Sequence, residues 1–144
     1  MVFLVKSFGQ LSGKEVYEIL KARSDVFMTE QGIRYPDMDD IDYRSLHVWM
    51  QDDSGLVLAY LRLYDKEDEP GIVKMGRVLT REHGKGIGRK LVSAGIKAAH
   101  ERMNARGILL DSQEYCTGFY EKLGFKKCSD AFMEAGIPHV QMIM

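Results

Sequence analysis

Gly84, Gly86 and Gly88 stand at alternate positions between a strand-like run, residues 72–79 (IVKMGRVL), and a long helical pattern beginning at Ile87. No other feature restricts the chain as strongly. Glycine lacks a Cβ and adopts positive φ readily, so such a run lets successive backbone N–H groups converge on one point. The first amides of the following helix have no intrahelical acceptor and lie at the positive end of its dipole. Strand, glycine turn and helix in this order predict an anion site suited to a phosphate or pyrophosphate. Lys85 and Arg89 add positive charge beside it. Spacing excludes two familiar nucleotide loops. Walker A requires G-x-x-x-x-G-K-[ST], and the dinucleotide fingerprint requires G-x-G-x-x-G opening an early βαβ unit. Here the glycines run G-x-G-x-G after several strands. The competing reading is a turn that only joins strand to helix.

The rest of the pattern predicts an α+β chain. Residues 2–8 read as a strand. Ser12 and Glu15 form an S-x-x-E capping box, and Val16, Ile19, Leu20 and Phe27 recur at helical spacing, predicting a helix over residues 14–28. Acidic residues then dominate from Glu30 to Asp42, which reads as an exposed loop or broken helix. Residues 46–51 and 56–64 are strand-like, and residues 52–55 (DDSG) predict a hairpin between them. A second turn, residues 66–71, leads into the run at 72–79, so three successive antiparallel strands are expected. The helix over residues 87–105 carries two apolar stripes, as a sandwiched helix does, which leaves room for a homodimer contact. A short strand at 108–112, a short helix over 118–125 ending at Gly124, and a strand at 139–144 complete a mostly antiparallel mixed sheet flanked by helices. No linker or repeat divides residues 1–144, so one domain is expected.

Composition removes several function classes. Net charge is −1 over 144 residues, so no basic field attracts nucleic acid. No apolar run approaches the ~18 residues of a membrane span. The N-terminus has no basic start or small-residue cleavage site, and Cys116 and Cys128 form no disulfide framework; both suit a cytoplasmic protein. His47, His83, His100 and His139 are scattered and the cysteines lack C-x-x-C spacing, so no metal site is expected.

Arg81-x-x-Gly84-x-Gly86 matches the pyrophosphate loop of the GCN5-related N-acetyltransferase (GNAT) superfamily, [QR]-x-x-G-x-[GA]. A second family element, FYEKLGF at residues 119–125, follows about thirty residues later. The chain resembles that superfamily along nearly its whole length. Val26-Phe27, Glu30-Gln31, Asp37-Met38-Asp39 with Asp42, and Gly136-Ile137-Pro138-His139 look like its ElaA/YjcF-like branch.

The resemblance implies an acyl-CoA N-acyltransferase fold and transfer of acetyl from acetyl-CoA to a small-molecule or peptide amine, without metal or covalent enzyme intermediate. It places the cofactor at Arg81, His83, Gly84, Lys85, Gly86, Ile87, Gly88 and Arg89, and the pantetheine arm along Val78 and Leu79, as a strand adds to a sheet edge. It makes Tyr120 the acid for the departing thiolate, since a phenol stays protonated at neutral pH. A base is needed to take the amine proton; Glu30, His47, Asp111 and His139 are the candidates. The acidic run at Asp37, Asp39, Asp40 and Asp42 attracts a cationic amine or is merely a solvated loop. Cys116 reads as a semi-buried thiol. A non-catalytic acyl-CoA-binding module on the same fold, and a generic nucleotide-binding protein, are the alternatives.

Overall fold

The computed structural model describes residues 2–33 and 36–144. Eight strands form one sheet in the order β1-β2-β3-β4-β5-β8-β6, with β7 also paired to β8. β1 (Leu4–Ser7), β2 (Leu46–Gln51), β3 (Val57–Asp65) and β4 (Ile72–Thr80) pair in succession, each antiparallel to the one before, as the two turn signals predict for β2 to β4. β5 (Gly107–Gln113) lies parallel to β4 and antiparallel to β8 (Ile137–Ile143). β6 (Lys126–Lys127) and β7 (Phe132–Glu134) pair in two short pieces with β8. Both are exposed and too short to carry an alternating pattern, and the sequence gives no sign of them.

Two helices cover opposite faces. α1 (Gly13–Arg23) starts at the expected capping box: Ser12 Oγ accepts from the Glu15 amide and Glu15 Oε1 from the Ser12 amide. Ile19 and Ala22 of α1, with Val26, pack on Trp49, Tyr60 and Leu79. α2 (Ile87–Met103) packs Leu91, Val92, Ala98 and Ala99 on the other face, against Val48, Leu61, Val73 and Met75. Each buried Val, Leu, Ile or Met among these stabilises the fold by roughly 1.5–3 kcal/mol, and each alanine by less. The sandwiched α2 expected from two stripes gives way to one covered face, because Ser93, Lys97 and His100 look to solvent.

α2 lies close on the sheet because Gly95 has no side chain. A Cβ there would meet Leu61 Cδ2 at 2.8 Å and Met75 Cε at 3.0 Å. Gly95→Val is therefore expected to lower unfolding free energy by about 1–3 kcal/mol in urea titrations, although valine is the better helix former.

The helix predicted over residues 14–28 changes character at Ser24. Residues Ser24–Glu30 are wound with i→i+5 bonds, the Gln31 amide donating to Val26 O at 3.0 Å. Such windings cluster at functional sites. Beyond them the acidic segment departs from the exposed loop expected of it. Residues 34 and 35 lie outside the described residues, but Asp37, Asp39 and Asp42 fold inward onto arginines. Arg23, wholly buried, binds Asp37 (2.9 Å) and Asp42 (2.6 Å); Arg62, 2% exposed, binds Asp42 (3.0 Å) and Asp39 (2.6 Å). Arg77 binds Asp37 (2.8 Å) and Asp39 (3.4 Å). Arg23, Asp37, Arg77, Asp39, Arg62 and Asp42 thus close an alternating ring. Burial alone would raise the pKa of Asp39, yet the bond and charge of Arg62 and the charge of Arg77 outweigh it and bring it to about 2. The same contest, won by Arg23 and Arg62, lowers Asp42. These carboxylates are occupied, so an amine-attracting role falls away from all three.

Candidate active site

β4 and β5 pair only through Ile72 with Gly107, Val73 with Ile108 and Lys74 with Leu109. The closed end of this wedge is pinned by Arg106, whose amide donates to Gly71 O (2.7 Å) and whose Nη2 donates to Pro70 O (2.6 Å). Past Lys74 the strands part and leave a gap inside the sheet. On the β3 side, Tyr60 pairs with Leu79 and Arg62 with Gly76, so Arg77 and Val78 together oppose Leu61. This β-bulge puts Arg77 in the left-handed region, φ 53°. It also resets the side-chain alternation: Val73, Met75 and Val78 pack with α2, and Leu79 with α1. Arg77 and Val78 therefore have no partner in either ladder, and β4 offers bare backbone to the gap.

β4 runs directly into the glycine loop. Gly84 and Gly86 have φ 80° and 74°, and Gly86 is the residue before the first turn of α2, with no side-chain cap. A Cβ at either position would meet nothing within 4 Å. The amides of Gly84 to Arg89 find no backbone acceptor among the described residues. Open space before unpaired N–H groups at a helix start is the geometry an anion needs. Gly88 faces Phe119, 3.5 Å from its Cβ position, so the helix holding Tyr120 closes on this loop.

The other predicted loop residues divide by role. Arg81 turns away: its Nε donates to Val57 O (2.6 Å), its Nη1 to Asp25 (2.9 Å) and its amide to Leu58 O (2.9 Å). It anchors the loop and its guanidinium does not point at the anion site. Lys85 pairs with Glu82 on the surface at 2.8 Å. His83 Nε2 lies 3.1 Å from Glu30 Oε1.

Tyr120 lies in α3 (Thr117–Glu121), which follows β5 on the far lip of the gap. The helix is shorter than expected, and Gly124, φ 104°, turns the chain after it. Tyr120 is 8% exposed and packs edge-on to Phe119 and Phe125, with centroids 5.0 and 5.8 Å away. Burial pushes its pKa well up, so the phenol keeps its proton. No hydrogen bond from its hydroxyl is found among the described residues. Burial also pushes the Cys116 thiol up, which keeps it from being a nucleophilic thiolate.

The four base candidates do not converge. His47 is 2% exposed on the α1 face. Its Nε2 donates to Asp42 O at 3.0 Å and its Nδ1 accepts from Tyr60 Oη at 2.7 Å. Burial lowers its pKa. With both nitrogens engaged it has no lone pair free for a substrate proton, so the expectation of His47 as base is corrected to a structural role. Asp111 accepts from Gln141, and His139 donates from Nδ1 to Ile137 O; both belong to the β5–β8 side. Of the four, Glu30 alone contacts the glycine loop. It reaches the glycine loop through His83, while its neighbour Gln31 accepts from Gln113 at the end of β5 (3.4 Å). The wound segment from Ser24 thus spans both lips. Neither it nor the arginine ring was visible in the sequence, although Arg62 and Arg77, charged residues inside apolar strand runs, were the available signal for the ring.

The family model of the acetyltransferase (GNAT) domain matches residues 28–144. The chain belongs to the GNAT acetyltransferase family. It lies in the ElaA/YjcF-like branch. It is 38% identical to a UPF0039 protein of Schizosaccharomyces pombe, covering 97% of this chain and 94% of that protein. Protein ElaA of Escherichia coli is 30% identical, with 92% and 89% covered. A crystal structure of an acyl-CoA N-acyltransferase from Pseudomonas aeruginosa superposes with a TM-score of 0.91 at 30% identity, covering 99% of both chains. GNAT membership supports acyltransferase activity and agrees with the mixed eight-stranded sheet. No metal-holding group of His, Cys, Asp or Glu occurs among the described residues, and no helix there is long and apolar enough to cross a membrane.

Proposed function

We propose that the protein is a cytoplasmic N-acetyltransferase that moves acetyl from acetyl-CoA to the amine of a small molecule or peptide by direct attack. The observation that carries this reading is an open glycine loop that follows β4, itself unpaired with β5 beyond Lys74, and that meets the helix bearing Tyr120 where Gly88 faces Phe119. The pyrophosphate sits on the amides of residues 84–89, and the pantetheine arm pairs with Val78 and Leu79 as a strand would.

The neutral amine attacks the thioester carbon, a C–N bond forms, and the C–S bond breaks. The amine must lose one proton and the departing thiolate must gain one. Glu30, directly or through water, receives the first. Tyr120 serves the sulfur. Burial sets its pKa above the ~8.5 of an ordinary thiol, so complete transfer is uphill. Its hydroxyl therefore donates a hydrogen bond as charge grows on sulfur, and solvent completes the protonation. The raised Cys116 thiol supports direct attack over an acyl-enzyme.

A panel of amines assayed for free CoA tests the activity. Gly86→Val tests the loop, because it brings a branched side chain to a left-handed position in front of the phosphate. Calorimetry is expected to show acetyl-CoA binding at least ~10-fold weaker, about 1.4 kcal/mol. Unchanged affinity in a folded variant would remove the loop assignment. Binding of acetyl-CoA without CoA release on any amine would mark a non-catalytic acyl-CoA module.

A further inference from the structure

Arg77 is a left-handed arginine inside a strand. That conformation costs a non-glycine residue roughly 1–2 kcal/mol and persists only where the surroundings over-determine it. Gly76 is adjacent, yet its own φ is not positive, and the left-handed turn falls on the arginine instead. The side chain is what this position requires. Its Nε donates to Asp37 Oδ1 and its Nη2 to the Asp37 carbonyl, both at 2.8 Å. Asp37 is held from behind by Arg23, through Nε to Oδ2 (2.9 Å) and Nη2 to the carbonyl (3.1 Å). The bulge is thereby tied to α1 and, through Asp39 and Asp42, to Arg62 of β3.

We propose that Arg77 is a positioning residue: tethered by Asp37 and the arginine–aspartate ring, it fixes the β4 bulge so that the backbone N–H groups there meet the acyl carbonyl in the gap. This rests on the acyl-CoA reading given above. As the amine attacks, the carbonyl oxygen gains negative charge, and N–H groups aimed at it beforehand stabilise that charge without reorganising. The register makes the tether consequential. Removing the extra residue's kink would exchange the faces of Val78 and Leu79 and turn the amides elsewhere.

The test is infrared difference spectroscopy of carbonyl-¹³C-labelled acetyl-CoA bound to wild type, Arg77→Gly and Asp37→Asn, with kinetics alongside. Arg77→Gly keeps the left-handed backbone accessible and removes the tether; Asp37→Asn keeps the arginine and weakens its anchor. In wild type the carbonyl band is expected below its free frequency. In both variants it returns toward the free value, with kcat falling at least ~10-fold and KM for acetyl-CoA moving less than ~3-fold. Arg77→Lys, which keeps charge but not the paired donors, recovers only part of the shift. Thermal melts identify folded variants, and if Arg77→Gly does not fold, Asp37→Asn and Arg77→Lys decide. A normal band and normal kcat in folded variants overturns the proposal, and so does a loss confined to KM. Wild type that binds acetyl-CoA with an unshifted band overturns it alone; wild type that binds none overturns the acyl-CoA reading and takes the proposal with it.

Discussion

Tyr120→Phe is expected to lower kcat by about 10²–10³-fold, the range for a lost hydrogen-bond donor to developing charge. Acetyl-CoA affinity should stay within about 2-fold, because the glycine loop is untouched and the substitution removes one oxygen from a ring already packed by Phe119 and Phe125. A loss in kcat with little change in ground-state binding marks an interaction made in the transition state. Stopped-flow or steady-state release of CoA on the best amine of the panel reads the first quantity and calorimetry the second. An unchanged kcat would make Tyr120 a packing residue, with water serving the sulfur. A parallel fall in affinity would mean that the hydroxyl positions the thioester.

Asp42→Ala is expected to destabilise the fold by about 3–5 kcal/mol, since it strips a partner from two buried guanidinium groups at once. Asp42 Oδ1 accepts from Arg23 at 2.6 Å and from Arg62 at 3.0 Å. By contrast Glu67→Ala, which removes an exposed partner of Arg44, is expected to cost about 0–1 kcal/mol. Urea titrations of both variants make the comparison. The pH dependence has a definite sign. Asp39 and Asp42 have depressed folded pKa values, that of Asp39 about 2, so their contribution is present above the unfolded value near ~3.9 and is lost as pH falls below it through the folded values. The midpoint should therefore drop through that acid window in wild type and drop less in Asp42→Ala. Equal slopes would show that the ring does not govern acid stability.

What the sequence made legible was local. The Ser12 and Glu15 box, the turns at 52–55 and 66–71, and the glycines after β4 each write their structure into adjacent residues. The candidate site was legible to the extent that it lies in two short motifs. The ring was hidden because its six members come from positions 23 to 77, and pairing of that kind has no sequence period. The structural role of His47 is hidden for the same reason: histidine beside a strand says nothing of Tyr60 and the Asp42 carbonyl that occupy it. The i→i+5 segment from Ser24 makes its contacts far along the chain, as in the pair between Asp25 and Arg81, which periodicity cannot carry.

The parting of β4 from β5 gives the sheet an edge in its own middle. Exposed edges ordinarily invite other chains, and proteins blunt them with charge, proline or a covering element. Here the hazard is met by geometry: the bare backbone lies between two strands of one sheet, in a slot closed at one end by Arg106 and spanned at the other by the segment bearing Glu30 and Gln31. An opening that is sticky by its chemistry is thus shielded from other chains by the residues that close its ends.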